Sequence, residues 1–477
     1  MFLVVAAVAP MAAVVGTIPL AFVLGTGPGT PAAFVLAGVV LMLFGVGYAA
    51  MSRHVVSTGA FYAYIRHGLG RVPAVAGAYV AALSYNALVV GLVGAFAYFT
   101  RLMLSDLVHV TIAWPWAAAA ALIAVAVLGR GQIDLSARTL ALLLTAEVAI
   151  LLVLDAAITV SQGAAAFPVS SFAPHTAAHG ALGVTLMFAF ISFLGFESAA
   201  LYGEEARNPR RSIPRAVYAS VLLISVFYAV TSWIAVGGIG AGHVQQRSGT
   251  ELGNLFFSLT VQYVDTSMSK IMGVVLCTSL FASTLSMHNA CSRYMYALGR
   301  DQLLPKRLGT TRHSGAPAVA SGVQIALTAV VVGIFAVAGL DPYLNLATSM
   351  LGLGTVGVIT LQAAAAVSII NYFRHHRAAA KAAGRWRVLV APLLGAVGLL
   401  AAMVLVLRNF GSLTGTSSPT VHALPWLVLA AAMTGAGWAV WLRTARPATY
   451  QHLAEAGGDG SAPSGGNIPD GVGRAHA

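Results

Sequence analysis

Charged side chains are scarce in this 477-residue chain, where Asp, Glu, Lys and Arg together make up 8% of the residues. Soluble globular proteins carry about 25% of such residues, and a chain of this length would divide into several water-exposed domains that need them. Hydrophobic residues make up 58% of the chain, which excludes an intrinsically disordered protein. The composition therefore predicts a helical membrane protein with several transmembrane segments.

Cysteine and lysine are also rare. The two cysteines, Cys277 and Cys291, are 14 residues apart, and on one helix this spacing corresponds to ~21 Å, too far for a disulfide. The sequence contains no H-E-x-x-H motif and no closely spaced pair of cysteines, so we predict neither a bound metal nor any other cofactor. Three lysines and the lack of a G-K-[ST] sequence exclude an ATP-driven pump with a phosphate-binding loop.

Long apolar stretches alternate with short polar ones along most of the chain. A helix needs about 20 apolar residues to cross the ~30 Å hydrocarbon core of a bilayer. The first stretch lacks a basic N-terminal region, so we interpret it as a span and not as a cleaved signal peptide. The predicted spans are approximately 2–25, 31–51, 73–103, 112–129, 137–160, 180–203, 214–238, 268–298, 318–338, 343–371, 388–407 and 423–442.

The basic residues predict the orientation of these spans. The net charge of +12 does not predict nucleic-acid binding, because the basic residues form short clusters between apolar stretches and no continuous basic face. Of the 26 Lys and Arg residues, 21 lie in or at the edges of even-numbered connections or after the last span, four lie in or at the edges of odd-numbered connections, and Arg293 lies within span eight. Cytoplasmic loops hold the excess of Lys and Arg, so we predict a multi-pass protein of the cytoplasmic membrane with both termini in the cytoplasm.

Three ordered sequence stretches resemble one family. Residues 191–216 read ISFLGFESAALYGEEARNPRRSIPRA, residues 57–71 read STGAFYAYIRHGLGR, and residues 292–305 read SRYMYALGRDQLLP. They resemble the sixth-helix signature, the segment between helices 2 and 3, and the end of helix 8 of the amino acid–polyamine–organocation (APC) permeases. The likeness covers about the first 370 residues.

The resemblance implies an all-α membrane protein of 12 transmembrane helices with a five-plus-five inverted repeat of the APC/LeuT type. In that fold helices 1 and 6 are discontinuous, and a central site lies between helices 1, 3, 6, 8 and 10. The domains expected here are a transport core at 1–371 (helices 1 to 10), helices 11 and 12 at 372–443, and a disordered cytoplasmic tail at 444–477, which is rich in Gly, Ser and Pro.

Corresponding breaks in two spans would form the substrate site. Span one contains Pro10 and Gly16, and span six contains Gly183 and Gly195. Broken helices in matching places are typical of transporters built from inverted repeats. Their exposed N–H groups attract a substrate carboxylate, and their exposed carbonyls accept from an ammonium. The alternative for span six is a glycine that only lets helices approach one another.

The predicted substrate-binding residues come from these breaks and from two neighbouring spans. In span six the family match places the break at Ser192–Gly195. In span one, Ala9-Pro10-Met11 resembles a proline-containing variant of the family, and Gly16-Thr17 keeps part of its glycine motif. For the residues of spans three and eight the alternative is simple packing or an interhelical hydrogen bond. The full set is Ala9, Pro10, Met11, Gly16, Thr17, Ser192, Phe193, Leu194, Gly195, Tyr85, Asn86, Ser283 and Met287.

Two acidic residues are predicted to act in coupling or gating. Glu147 lies deep in span five, where a carboxylate is costly and marks a functional site by default. Some proton-driven family members carry a lysine at what looks like this position. Because burial disfavours the ionised form, we predict that Glu147 binds and releases a proton; a structural hydrogen bond is the alternative. Glu197 matches an acidic family position and is predicted to gate, to bind a cationic substrate, or to cap the second half of span six. Asp155 is expected near the outer interface.

The sequence thus predicts a secondary active transporter and not an enzyme. It is expected to move an amino acid or related amine by alternating access, with the proton as coupling ion. Membrane lipid is expected to surround it. The alternatives are a polyamine or putrescine importer or an amino acid exchanger of the same fold. An integral membrane enzyme is disfavoured because the acidic residues are few and form no catalytic pairs in loops. A channel is disfavoured because filters use repeated short motifs around a pore. Substrate identity, coupling ion, direction of transport and oligomeric state stay open.

Overall fold

The computed structural model describes residues 9–55, 60–130, 137–195, 209–311, 317–414 and 419–455, and over these ranges the regular structure is helical throughout. The main helices are α1 (Pro10–Leu24), α2 (Thr30–Met51), α3 (Ala60–Leu69), α4 (Arg71–Val108), α5 (Trp114–Arg130), α6 (Ala137–Gln162), α7 (Leu182–Ser192), α8 (Pro209–Ile239), α9 (Val244–Glu251), α10 (Leu255–Tyr263), α11 (Thr266–Arg300), α12 (Ala318–Val337), α13 (Thr348–His375), α14 (Arg377–Ala383), α15 (Ala391–Asn409), α16 (Pro419–Ala445) and α17 (Pro447–Glu455). Single turns lie at Gly27–Gly29, Gly163–Ala166, Val169–Phe172, Pro174–Ala177, Leu252–Asn254, Lys306–Gly309 and Phe410–Thr414, and π-helical turns at Pro342–Ala347 and Trp386–Val390.

Most of these helices have the length and composition of membrane spans. Within the described ranges, nine are long and apolar enough to cross a bilayer, namely α2, α4, α6, α8, α11, α12, α13, α15 and α16. Three shorter apolar helices, α1, α5 and α7, lie at the remaining predicted spans. The protein is therefore a multi-pass membrane protein, whereas the count of twelve spans and the inverted repeat stay predictions.

The outer surface carries large apolar side chains. Val337 on α12 is 93% exposed and Trp426 on α16 is 68% exposed. Side chains of this kind on the outside of a bundle suit contact with lipid, since the hydrocarbon core lacks water that would penalise their exposure. The apolar outside explains why the whole chain, and not only its core, is hydrophobic.

Local capping determines where several helices begin. Asp265 precedes α11, and its side chain accepts a hydrogen bond from the Met268 N–H at 2.8 Å. Asp341 accepts from the N–H groups of Tyr343 at 2.8 Å and Leu344 at 2.7 Å, at the π-helical turn that leads into α13. A carboxylate at such a position satisfies N–H groups that have no partner within the helix. Pro10 is the first residue of α1, where a missing N–H costs nothing.

The long helix α4 is the centre of the packing. It runs without a break over 38 residues and packs against α11, α13 and α16. Further large contacts join α8 to α2, α13 to α3 and to α15, and α15 to α2, and α1 packs on α7. This arrangement places the start of α1 and the end of α7 next to α4, α11 and α13.

A buried polar network joins α11 to α12. His288 Nδ1 lies 2.5 Å from Gln324 Oε1, and its Nε2 lies 2.9 Å from Ser321 Oγ. Because the Gln324 oxygen can only accept, Nδ1 carries the proton in this arrangement. Gln324 Nε2 also donates to Thr328 Oγ1 at 2.9 Å. The network fixes one side of α11, while Met287, the residue before His288, faces elsewhere.

The prediction for the C-terminal segment requires a correction. We predicted disorder from residue 444 onward, but α17 begins at Pro447 and ends at Glu455. The Tyr450 side chain lies under the Arg71 guanidinium, which is 4.9 Å from the ring centroid, and it also packs on the buried cluster that contains Leu298 and Leu442. A Gly/Ser/Pro composition does not reveal such a docking contact. Residues 456–477 lie outside the described residues.

We expect Gly183→Ala to destabilise the protein, because a Cβ at this position on α7 would lie on the backbone carbonyl of Leu405 in α15 and 2.8 Å from Asn409 Nδ2. Overpacking of this kind costs about 1–3 kcal/mol. Gly333→Ala on α12 is the matched control, because its added methyl group meets nothing within 4 Å. Thermal unfolding in detergent should show a lower midpoint for Gly183→Ala alone; equal midpoints would contradict the close approach of α7 and α15.

Candidate functional site

Two short apolar helices each have one end inside the bundle. Helix α1 starts at Pro10, after Ala9 with a left-handed φ of +45°. Helix α7 stops at Ser192, where the last turn tightens into bonds from Phe193 N to Phe190 O and from Leu194 N to Ile191 O, both 3.1 Å. The ends of helices leave N–H and C=O groups without intrahelical partners. The chain thus carries the positive pole of α1 and the negative pole of α7 into the protein interior.

Helices α1 and α7 are in direct polar contact. Thr17 Oγ1 and Ser192 Oγ lie 2.9 Å apart, so the last residue of α7 bonds α1 about two turns from its start. Each hydroxyl also donates within its own helix, Thr17 to Ala13 O at 2.6 Å and Ser192 to Phe188 O at 2.9 Å. One of the two hydroxyls therefore shares its proton between a backbone carbonyl and the other hydroxyl. A bound solute with its own donors or acceptors can replace this bond.

A cavity of about 90 Å³ lies beside these helix ends. A cavity that holds one water needs roughly 10–15 Å³, so this one has room for a small solute. Its walls come from α1, α4, α7, α11 and the start of α13. These are the helices at predicted spans 1, 3, 6, 8 and 10, the five that the family resemblance implied for a central site. The lining residues are Ala9, Ala12, Ala13, Gly16, Thr17, Leu20, Leu88, Leu92, Ala95, Phe188, Ile191, Ser192, Leu194, Leu280, Ser283, Met287, Tyr343, Ala347, Thr348 and Leu351.

The structure brings about half of the predicted binding residues to this cavity. Seven line it: Ala9, Gly16, Thr17, Ser192, Leu194, Ser283 and Met287. The other six, which lie beside it or further away, are Pro10, Met11, Phe193, Gly195, Tyr85 and Asn86.

Four of those six residues have surroundings other than the cavity. Phe193 is buried, with its ring 6.3 Å from that of Tyr228. Gly195 has a φ of +108°, which only glycine adopts readily. Its role is therefore to allow this backbone conformation just after α7. Tyr85 packs edge-on against Tyr294 with ring centroids 5.9 Å apart. Asn86 Nδ2 donates to Ala82 O within α4 at 2.8 Å.

Glu147 joins three helices at the start of α1. Its side chain on α6 is 4% exposed, and Oε2 accepts a hydrogen bond from the Met11 N–H at 3.0 Å. Ser279 on α11 also lies within hydrogen-bonding reach of this carboxylate. A carboxylate beside the first turn of a helix is stabilised by the helix dipole. Met11 thus contributes through its backbone, and its N–H is committed to Glu147.

The sequence analysis singled out two further acidic residues, Asp155 and Glu197. Asp155 on α6 is 6% exposed and accepts from Thr231 Oγ1 on α8 at 2.7 Å. It lies two turns from Glu147 and outside the cavity lining. Glu197, predicted to gate or to cap, lies outside the described residues.

Tyr343 is a cavity residue that the sequence reasoning missed. Its hydroxyl donates to the Gly16 carbonyl on α1 at 2.9 Å, and its ring stacks on Tyr98 with centroids 4.6 Å apart. The residues before it, Asp341 and Pro342, are typical of a helix start. That local signal does not reveal a contact with a residue 327 positions away.

Comparison with known proteins gives consistent results. A sequence model of amino acid permeases matches residues 1–435. The chain is 30% identical over 164 residues to "Branched-chain amino acid permease BcaP" of Lactococcus lactis subsp. cremoris (strain MG1363), covering 32% of this chain and 31% of that protein. It is 29% identical over 229 residues to "Lysine-specific permease LysP" of the same organism, covering 47% of this chain and 42% of that protein.

A solved structure shares the fold. The crystal structure of MhsT in complex with L-phenylalanine matches with a TM-score of 0.58, covering 85% of this chain and 98% of that one. Sequence identity over this match is 15%, so the likeness concerns the arrangement of the helices.

We expect Tyr343→Phe to lower thermal stability, because it removes the hydroxyl that bonds the Gly16 carbonyl; a hydrogen bond of this kind contributes about 1 kcal/mol. Tyr228→Phe is the matched control, because the buried Tyr228 hydroxyl has no hydrogen-bond partner within the described part of the chain. In thermal unfolding measured at one scan rate, the midpoint of Tyr343→Phe should lie below that of the wild type. The midpoint of Tyr228→Phe should equal or exceed that of the wild type. The opposite order would contradict the contact between Tyr343 and α1.

Proposed function

The chain belongs to the amino acid permease family, and from this premise we propose that it is a secondary transporter that moves an amino acid across the cytoplasmic membrane by alternating access. The observation that carries this proposal is the cavity beside the start of α1 and the end of α7. A solute held there contacts helix ends of opposite polarity in the middle of a membrane protein.

A zwitterion matches this pair of helix ends. Its carboxylate is attracted by the positive pole at the first turn of α1, where Ala12 lines the cavity and the Ala13 N–H already bonds the Ala9 carbonyl at 3.1 Å. Its ammonium donates to carbonyls at the end of α7, where Ile191 and Ser192 line it. The hydroxyls of Thr17 and Ser192 supply further hydrogen bonds once their mutual contact opens. Because the N–H and C=O groups are already oriented, little reorganisation is needed on binding.

Coupling to protons is the second part of the proposal, with Glu147 as the proton-binding group. An ionised carboxylate makes charge-assisted bonds that are stronger than neutral ones. Ionised Glu147 therefore holds the start of α1 through Met11 N–H, while Ser279 joins the same carboxylate to α11. Proton binding weakens these bonds and frees α1 to move relative to α6 and α11. Movement of α1 changes the cavity, which α1 lines along several turns.

The topology is part of the same proposal. The three shorter helices α1, α5 and α7 complete twelve spans with the nine longer ones. The excess of Lys and Arg in even-numbered connections orients both termini toward the cytoplasm. A five-plus-five inverted repeat then relates α1 to α7 as the first helix of each half.

We expect Glu147→Gln to abolish uphill amino acid uptake into proteoliposomes under an imposed proton gradient, because a glutamine side chain cannot bind and release a proton. Wild-type uptake should increase as the external pH falls. Asp155→Asn is the matched control on the same helix, since it alters a buried carboxylate outside the cavity, and it should keep the pH dependence. Uphill uptake by Glu147→Gln at the wild-type rate would contradict proton coupling through this residue.

A further inference from the structure

The walls of the central cavity are apolar between the two helix ends. The α4 wall is formed by Leu88, Leu92 and Ala95, and the α11 wall contains Leu280 and Met287. On the side of α1 the lining consists mainly of Ala and Gly residues. Polar side chains contribute only hydroxyl groups, on Thr17, Ser192, Ser283, Tyr343 and Thr348. Among the described lining residues none is Asp, Glu, Lys, Arg or His.

A charged substrate side chain would have no oppositely charged partner among the described residues of these walls. The transfer of an unpaired charge from water into apolar surroundings costs far more than the burial of a neutral group. Glu147, the acidic group that bonds the start of α1, does not line the cavity. Its carboxylate already accepts from Met11 N–H at 3.0 Å and lies within reach of Ser279. The helix ends themselves are needed for the α-carboxylate and α-ammonium.

An aliphatic substrate side chain, in contrast, matches these apolar walls. Leu, Ile, Met and Phe side chains of the walls exclude water and offer dispersion contacts on several sides. Each CH₂ group of a substrate that is buried against these walls favours binding, because apolar surface leaves water. The cavity of about 90 Å³ has a limited capacity, so side chains of modest size fit best.

We propose that the substrate is a neutral α-amino acid with an aliphatic or thioether side chain of modest size, and not a cationic amino acid, an acidic amino acid or a polyamine. The inference rests on the proposed function and specifies its substrate class. It depends on the composition of the walls, and the proposed binding of the zwitterion depends on the helix ends. The two can therefore fail separately.

The first experiment is competition for uptake in proteoliposomes that contain the full-length wild-type protein. Radiolabelled L-leucine is the probe, and unlabelled L-valine, L-methionine, L-lysine, L-arginine, L-glutamate and putrescine are each added in large excess. Valine and methionine should suppress leucine uptake, whereas the charged amino acids and putrescine should leave it unchanged. Uptake of labelled lysine or putrescine in place of leucine would overturn the inference and leave the proposed transport function intact. No uptake or binding of any amino acid would overturn the proposed function itself.

A cavity variant tests the same idea through substrate size. Gly16→Ala adds a methyl group at a lining position, and the nearest atom to that group is Phe99 Cε2 at 3.9 Å, an ordinary contact that the fold tolerates. The variant should raise the KM for leucine at least ~10-fold more than the KM for alanine, since a single methylene in a hydrophobic pocket changes specificity by roughly 10–200-fold.

Gly437→Ala is the control for this variant, because its methyl group lies on α16, outside the cavity lining, and meets nothing within 4 Å. It should leave the KM values for both amino acids unchanged. Equal KM changes for leucine and alanine in Gly16→Ala would overturn the assignment of these walls to the substrate side chain.

Discussion

Backbone N–H and C=O groups inside a membrane protein need partners, since bulk water is absent from the hydrocarbon core. A helix that begins or ends within the bundle leaves several such groups unpaired. In this protein α1 begins at Pro10 and α7 ends at Ser192, beside one cavity. One side chain reduces the cost, because Glu147 accepts from the Met11 N–H in the first turn of α1. The hydroxyls of Ser192 and Thr17 join the two helices through their side chains. The remaining helix-end groups are what a zwitterion is suited to satisfy.

The surrounding helices hold the positions of these ends. On α11 the cavity residues Ser283 and Met287 precede His288, which bonds Gln324 and Ser321 of α12. This buried network is fully paired on both ring nitrogens, so it resists rotation of α11 about its axis. Helix α1 packs closely on α7 and also makes polar contacts, through the Met11 N–H to Glu147 and through the Gly16 carbonyl to Tyr343.

Much of the fold could be predicted from the sequence, because apolar length and family motifs are local properties. Within the described ranges a helix overlaps each of the twelve predicted stretches, and the stretch 73–103 lies within the unbroken α4. The motif at 191–216 predicted the end of α7 at Ser192, and seven of the proposed binding residues line the cavity. The resemblance supplied the five helices around it. Composition alone would not have identified them.

The remaining features depend on contacts between distant parts of the chain. The bond from Met11 N–H to Glu147 joins residues 136 positions apart, and the bond from Tyr343 to Gly16 spans 327 positions. No periodicity or motif encodes such pairs. Tyr85 and Asn86 lie on α4, the correct helix, but outside the cavity lining. The lining residues of α4 begin about one turn later, at Leu88. The helix at Pro447–Glu455 was missed because its docking onto Arg71 is a tertiary contact.

The most direct test of the central claim is an electron cryo-microscopy structure of the protein in lipid nanodiscs with the amino acid that stabilises it most against heat. The account predicts ligand density in the cavity beside Ser192, with the carboxylate at the first turn of α1 and the ammonium at the end of α7. Density for the ligand at another place would contradict it. So would unbroken helices through Ala9 and Ser192 with no cavity between them.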